Sequence, residues 1–295
     1  MKTITTHNGT FHTDDIFAVA TLLLALKGEE CVIQRTRDEA LFAQSDYLVD
    51  VGGALNPEMG RFDHHQQGGA GKRGNGIPYA SFGLVWATYG LELCVGNVEA
   101  FEMIDNHLVA GIDAVDNGVE IFTNIYKDIY PYTIGTFFSS FNLSDDATEE
   151  EIHQTFINCV NIAKDILLRE ISRAVNQVTL QQKTLESYHN AGDKRVIVLE
   201  GRYPWASVLQ KFPEPLFVVY PDRGGDRWTA KVVPVEPMSF VARKNFPSSW
   251  AGKLDEELQK ITGVADAIFC HNALFIVVAK SKEGAIKLAE IAANA

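Results

Sequence analysis

The opening stretch of the chain alternates short β-branched runs with longer apolar ones. Residues 3–6 predict a short strand, followed by a polar loop over 7–13. A helix is expected to begin near Asp14, with Thr13 as its N-cap and Asp14 and Asp15 favouring the helix dipole in its first turn. Residues 16–26 are apolar almost all round, which marks this helix as buried. Residues 31–35 predict a second strand, 38–44 a short helix and 47–51 a third strand. This order predicts an α/β fold built on a doubly wound, mostly parallel sheet, in which ligands gather past the carboxyl ends of the strands.

Residues 66–76 form a glycine-rich loop carrying Lys72 and Arg73. It lacks the spacing of a Walker A loop, and it reads either as a surface turn or as a mobile phosphate clamp. Helices are expected over 80–89 and 98–112, closed by Asp113 and Asp116. A looser aromatic segment over 126–141 then precedes a capping box formed by Thr148 and Glu151. From there to about residue 189 the pattern is helical with no glycine or proline. Beyond Gly192, apolar runs at 196–199, 216–220, 231–235, 267–270 and 275–279 alternate with helices near 254–261 and 283–293. The expected layout is a metal-binding catalytic domain over 1–147, a helical connector over 148–190 and a smaller α/β substrate-binding domain over 191–295, with the active site in the cleft between domains.

Composition narrows the function. Apolar residues make up 46% of the 295 and charged residues 22%, as in ordinary globular proteins. A net charge of −12 argues against a broad basic face for nucleic acid, though not against a narrow groove where metals meet phosphates. Cys31, Cys94, Cys159 and Cys270 are far apart and lie in apolar stretches, so free thiols in a reducing compartment are expected. The start of the chain has no signal or transit pattern and the apolar runs are too short to span a bilayer, so a cytoplasmic protein without membrane contact is expected.

Half of the eight histidines fall in two short runs, one holding His7 and His12 beside Asp14 and the other reading Asp63-His64-His65. Asp50 ends the apolar run between them. Carboxylates brought together with Asp116 would repel one another unless cations joined them. Imidazole and carboxylate without thiolate suit Mn²⁺, Fe²⁺, Co²⁺ or Zn²⁺ better than Mg²⁺ or Ca²⁺. Two such ions about 3.5–4 Å apart can hold both attacking and leaving oxygens at phosphorus.

HNGTFHTDD, LVDVGG, FDHHQ, GLVW and IDAVDNG together resemble the DHH phosphoesterase superfamily, and within it the melanocyte-proliferating-gene exonuclease family, once catalogued as metal-dependent protein hydrolases. The resemblance implies two divalent metal ions, with manganese expected. His7, His12 and Asp50 would hold one ion, and Asp14, Asp50, His64 and Asp116 the other, Asp113 being a rival for the last place. Asp63 would orient the paired histidines and His65 would meet a substrate phosphate oxygen. Arg223, Arg227, Arg243 and His271 are candidate phosphate contacts beside Lys72 and Arg73. The chain departs from the family pattern at Val277-Val278 and at Ala251. The implied activity is 3′–5′ exonucleolytic hydrolysis of RNA by a metal-bound hydroxide, in RNA processing. The expected partner is a single-stranded RNA end or a short oligonucleotide, and a homodimer is admitted. Hydrolysis of a small phosphorylated molecule, or a non-catalytic metal-binding scaffold, are the alternatives.

Overall fold

The computed structural model describes residues 1–236, 239 and 241–295. The chain divides into two compact units, Met1–Val175 and Asn176–Ala295. Both are α/β.

In the first unit β1 (Lys2–Thr6) leads into α1 (Thr13–Ala25), then β2 (Cys31–Arg35), α2 (Glu39–Phe42), β3 (Tyr47–Val49), β4 (Leu55–Asn56) and β5 (Arg61–Phe62). The sheet runs β2-β1-β3-β5-β4, parallel except for the edge pair β4–β5. The sequence pattern misses β4 and β5, because two-residue strands carry no readable alternation. Helix α1 starts one residue earlier than expected, with His12 rather than Thr13 as its N-cap. The Asp15 carboxylate fixes that boundary by accepting the His12 backbone N–H at 3.0 Å.

Next come α3 (Ser81–Leu93), α4 (Val98–Ile104) and α5 (Ala110–Asp116), the last two joined by a π-helical turn over Asp105–Val109. Phe17 of α1 packs on Phe82 of α3 with ring centroids 5.1 Å apart, both fully buried. After α6 (Ile134–Ser139), helix α7 (Glu149–Asn190) runs from the first unit into the second. Thr148 and Glu151 form the expected capping box: Thr148 Oγ1 accepts the Glu151 N–H, and the Glu151 carboxylate accepts that of Thr148. Phe156, Val160, Ala163, Leu167 and Ile171 keep one face of α7 buried at helical spacing.

The second unit holds β6 (Val196–Val198), α8 (Ala206–Leu209), β7 (Phe217–Pro221), β8 (Trp228–Val232), α9 (Asp255–Thr262), β9 (Ala267–Cys270), β10 (Ile276–Ala279) and α10 (Lys282–Asn294). Its sheet order is β6-β7-β8-β10-β9, with only β6–β7 parallel. One face packs on α10 through Phe217, Ala230, Val277 and Leu288, and the other buries Ile197, Leu209, Val218 and Tyr188. Val277, one of the departures from the family pattern, is thus a core residue of β10. Cys94, Cys159 and Cys270 are buried free thiols, and Cys31 is a half-buried one. Among the described residues no helix is long and apolar enough to cross a membrane.

Candidate metal centre

Three neighbouring parallel strands end at one place. His7 follows β1, Asp50 follows β3, and Asp63, His64 and His65 follow β5. Helix α1 brings Asp14 and Asp15, and Asp116 ends α5. His7 Nε2 lies 3.0 Å from Asp15 Oδ2 and 3.4 Å from Asp50 Oδ2. His64 Nε2 lies 3.2 Å from both Asp50 Oδ1 and Asp116 Oδ2. Three overlapping groups result: His7, His12 and Asp50; Asp50, His64 and His65; and Asp14, His64 and Asp116. In each, one ligand atom per residue falls within 4.8 Å of the others. Asp50 and His64 are each shared by two groups.

The donor set fits divalent ions. The His7 and His64 Nε2 atoms and Asp15 Oδ2 are buried and, despite those short distances, their angles give them no hydrogen-bond partner. His7 Nδ1 lies 3.1 Å from the Asn8 carbonyl oxygen, which can only accept, so Nδ1 is the donor there and Nε2 is the ring atom that faces the carboxylates. Asp50 holds a left-handed backbone, φ 56°, an uncommon conformation for a residue with a side chain and one that concentrates at functional sites.

Without cations the cluster retains protons. Burial alone would lower the His64 pKa, but Asp116 and Asp50 outweigh it and push it up to about 11. Burial, then the Asp50 and Asp116 charges, holds the Asp14 carboxyl well above its usual range. Burial also raises Asp15, against the pull of His7. Burial would raise Asp50 too, yet the surrounding histidines bring it below its ordinary value. Ions bound here would displace protons from these groups.

Asp63 is spent on orientation. Its Oδ1 accepts the His65 backbone N–H at 3.0 Å and lies 2.8 Å from His65 Nδ1, while Oδ2 accepts the Gly53 N–H at 2.6 Å. It therefore positions His65 rather than both histidines. The His65 side chain remains 62% exposed, and its Nδ1 is also 3.4 Å from Asp50 Oδ1.

Several roles lie outside the sequence reading. The N-terminus of α3 closes one side of the centre: Ser81 and Phe82 donate backbone N–H groups to Asp14 at 3.1 and 2.8 Å, and Ser81 Oγ donates to Asp50 at 3.2 Å. Arg35 donates to the Gly9 carbonyl at 2.6 Å and sits over the Phe11 and Phe156 rings, which pins the loop between His7 and His12. The only sequence signal for Asp15 is its place in the first turn of α1, and Ser81 and Arg35 carry none.

Arg73, expected to grip substrate, is turned inward instead. It donates to Asp113 at 2.6 Å and to both oxygens of Asp105 at 2.8 Å, and its side chain is buried. Asp113 also accepts the Gly83 N–H at 3.0 Å, so it belongs to this interior pair, whereas Asp116 faces His64. Burial pushes the Asp113 carboxyl up to about 6 even against the Arg73 charge. Lys72 stays at the loop surface.

Arg243 is likewise occupied, donating to the carbonyls of Phe212, Pro215 and Gln210. His271 is half-buried; its Nδ1 accepts the Ala273 N–H and its ring lies 4.5 Å from that of Phe275. Arg223 and Arg227 are exposed and line an open depression with Arg202, Asp222 and Asp226.

The sequence profile of the MYG1 exonuclease family, described as uncharacterised protein family UPF0160, matches residues 3–293. The rat protein named MYG1 exonuclease is 29% identical over 97% of this chain and 83% of its own length. The fission yeast MYG1 protein C694.04c is 28% identical over 97% of this chain and 95% of its own. The Chlamydia trachomatis MYG1 protein is 31% identical over 96% and 93%.

Proposed function

The chain belongs to the MYG1 exonuclease family, and we propose on that premise that it is a divalent-metal-dependent phosphodiesterase acting as a 3′–5′ exoribonuclease on single-stranded ends, with a DHH-like doubly wound domain carrying the chemistry. The observation that supports it most is the shared ligand geometry, with Asp50 and His64 each common to two groups and two buried imidazole nitrogens left without a hydrogen bond.

His7, His12 and Asp50 would hold one ion, and Asp14, Asp50, His64 and Asp116 the other. Two such ions, Mn²⁺ first among them, supply Lewis acidity and lower the pKa of water. Asp63, by engaging His65 Nδ1, turns Nε2 outward, where it can donate to a phosphate oxygen or the leaving oxygen. The N-terminus of α3 holds Asp14 in place, and Ser81 does the same for Asp50.

The test is stepwise shortening of an end-labelled single-stranded RNA in Mn²⁺, comparing the native chain with His64→Ala. Cleavage lost by about a hundredfold or more in a folded variant is expected. A folded, Mn²⁺-loaded native chain that leaves the RNA intact would contradict the proposal. A second reading, hydrolysis of a dinucleotide or pyrophosphate, is favoured by one observation: Arg73 and Arg243 are both consumed by internal partners, which removes two cations expected to grip a longer strand. A preference for dinucleotides over longer oligomers, at a rate insensitive to salt, would select it.

A further inference from the structure

Between Asp116 and α6 the chain runs through Phe122, Ile125, Tyr126, Ile129, Tyr130 and Tyr132. Residues 120–132 are all exposed, with Ile125, Tyr126, Tyr130 and Tyr132 at 92, 74, 73 and 70%. Among the described residues, no side-chain hydrogen bond, ion pair or ring contact engages Phe122 or these three tyrosines. So continuous a run of exposed aromatic and aliphatic side chains is the mark of a surface that a partner covers.

Both ends of this strap are fastened to elements that carry candidate ligands. At its start the Val119 N–H donates to the Ala114 carbonyl at 2.7 Å, and Ile121 lies beside Gly111, both on the helix that ends in Asp116. At its end Thr133 caps α6, Gly135 sits beside Thr13 of α1, and Asn142 exchanges hydrogen bonds with the Phe11 backbone next to His12. Tyr132 is three residues from Gly135, so chain length alone keeps it within roughly 11 Å of that anchor.

Its two anchors thus tie the strap to the helices that carry Asp116 and Asp14. Rings with a polar tip suit a solvated stacking surface, and Lys127 is outnumbered by Glu120 and Asp128 among 119–132, so adhesion here would come from the rings and not from charge. A ribbon of 13 residues is also too short for the 20–30 residues a side of a stable dimer interface.

We propose that this strap is a base-stacking platform, on which Tyr126, Tyr130 and Tyr132 hold the unpaired bases of a single-stranded nucleic acid whose end enters the metal centre. The inference rests on the phosphodiesterase reading and gives it a substrate requirement: the bases are needed, not only the phosphates. Stacking of this kind tolerates any sequence and depends less on salt than phosphate pairing does.

The test uses the full chain in Ca²⁺, to hold turnover off, and the anisotropy of a 5′-labelled single-stranded RNA beside a matched abasic strand. The native chain is expected to bind the base-bearing strand at least tenfold more tightly. Combining Tyr126→Ala, Tyr130→Ala and Tyr132→Ala should weaken binding of the base-bearing strand by that same factor, about tenfold or more, and abolish the preference. The corresponding three Tyr→Phe changes should retain it. Equal binding of the two strands by the native chain overturns the proposal, and so does unchanged affinity in the alanine variant. A shift from dimer to monomer in that variant, with RNA affinity intact, also overturns it and assigns the strap to self-association. Mn²⁺-dependent cleavage of both strands alike sinks the strap alone, whereas neither binding nor cleavage of either strand removes the phosphodiesterase reading with it.

Discussion

Asp50 is held in a left-handed turn at the end of β3, with one oxygen near His7 and the other near His64. Residues placed in this way make a site that has to be filled, by protons if not by metal. His64 in the metal-free chain is pushed up to about 11 against an ordinary 6.5, and Asp113 to about 6 against 3.8. Asp14 and Asp15 are raised as well. A folded state that binds more protons than the unfolded chain loses stability as pH rises. For the carboxyls that loss begins above their ordinary range, and for His64 it extends from about 6.5 towards 11, whereas the lowered Asp50 acts only in acid. The chelated protein should therefore melt at a lower temperature at about pH 8.5 than at about pH 6.5. Mn²⁺ should raise the melting temperature more at the higher pH, because the ion replaces those protons. A chelated melting temperature that climbs with pH across this window would contradict that reading of the cluster. His7 and Asp50 were legible in sequence because each follows a short apolar or β-branched run, and His12 and Asp63-His64-His65 because imidazole stands beside carboxylate there. Arg73 was not, because a cation in a glycine-rich loop looks like a phosphate clamp until its partner Asp113, 40 positions away, is seen beside it.

Among the elements, α3 serves the centre without supplying a ligand to it. Its first turn donates to Asp14 and Asp113, and it can approach them because position 83 has no side chain. A Cβ on Gly83 would overlap the Asp113 carboxylate and crowd Arg73. Gly83→Ala should therefore cost about 2 kcal/mol, from overpacking beside a buried ion pair. Gly111→Ala in α5, where a Cβ would meet only Ile121 at an ordinary 3.8 Å, should instead gain up to about 1 kcal/mol from helix propensity. Urea midpoints of the two variants decide it, and a stabilised Gly83→Ala would show that the packing around Asp113 is looser than described. The long elements were readable. Helix α7 announces itself by its capping box and its unbroken periodicity, and β2 by a compact β-branched run. Strands β4 and β5 are two residues each and draw their form from pairing with one another and with β3.

For the whole molecule, on the phosphodiesterase reading, the net charge of −12 and the inward turn of Arg73 would leave bound cations as one means of drawing in an anionic substrate. The α/β class and the convergence at strand ends follow from patterns that a single chain displays. Which cations are free does not, since that depends on pairings across the fold. The account depends above all on Asp50 and His64 being shared between neighbouring ligand groups. Manganese content per chain, measured after dialysis against Mn²⁺ and free-metal removal, tests this directly in the native chain and in folded His64→Ala. Two ions in the native chain, and the loss of at least one in the variant, are the predicted result. A native chain that retains none, or a His64→Ala variant that still holds two, would contradict it.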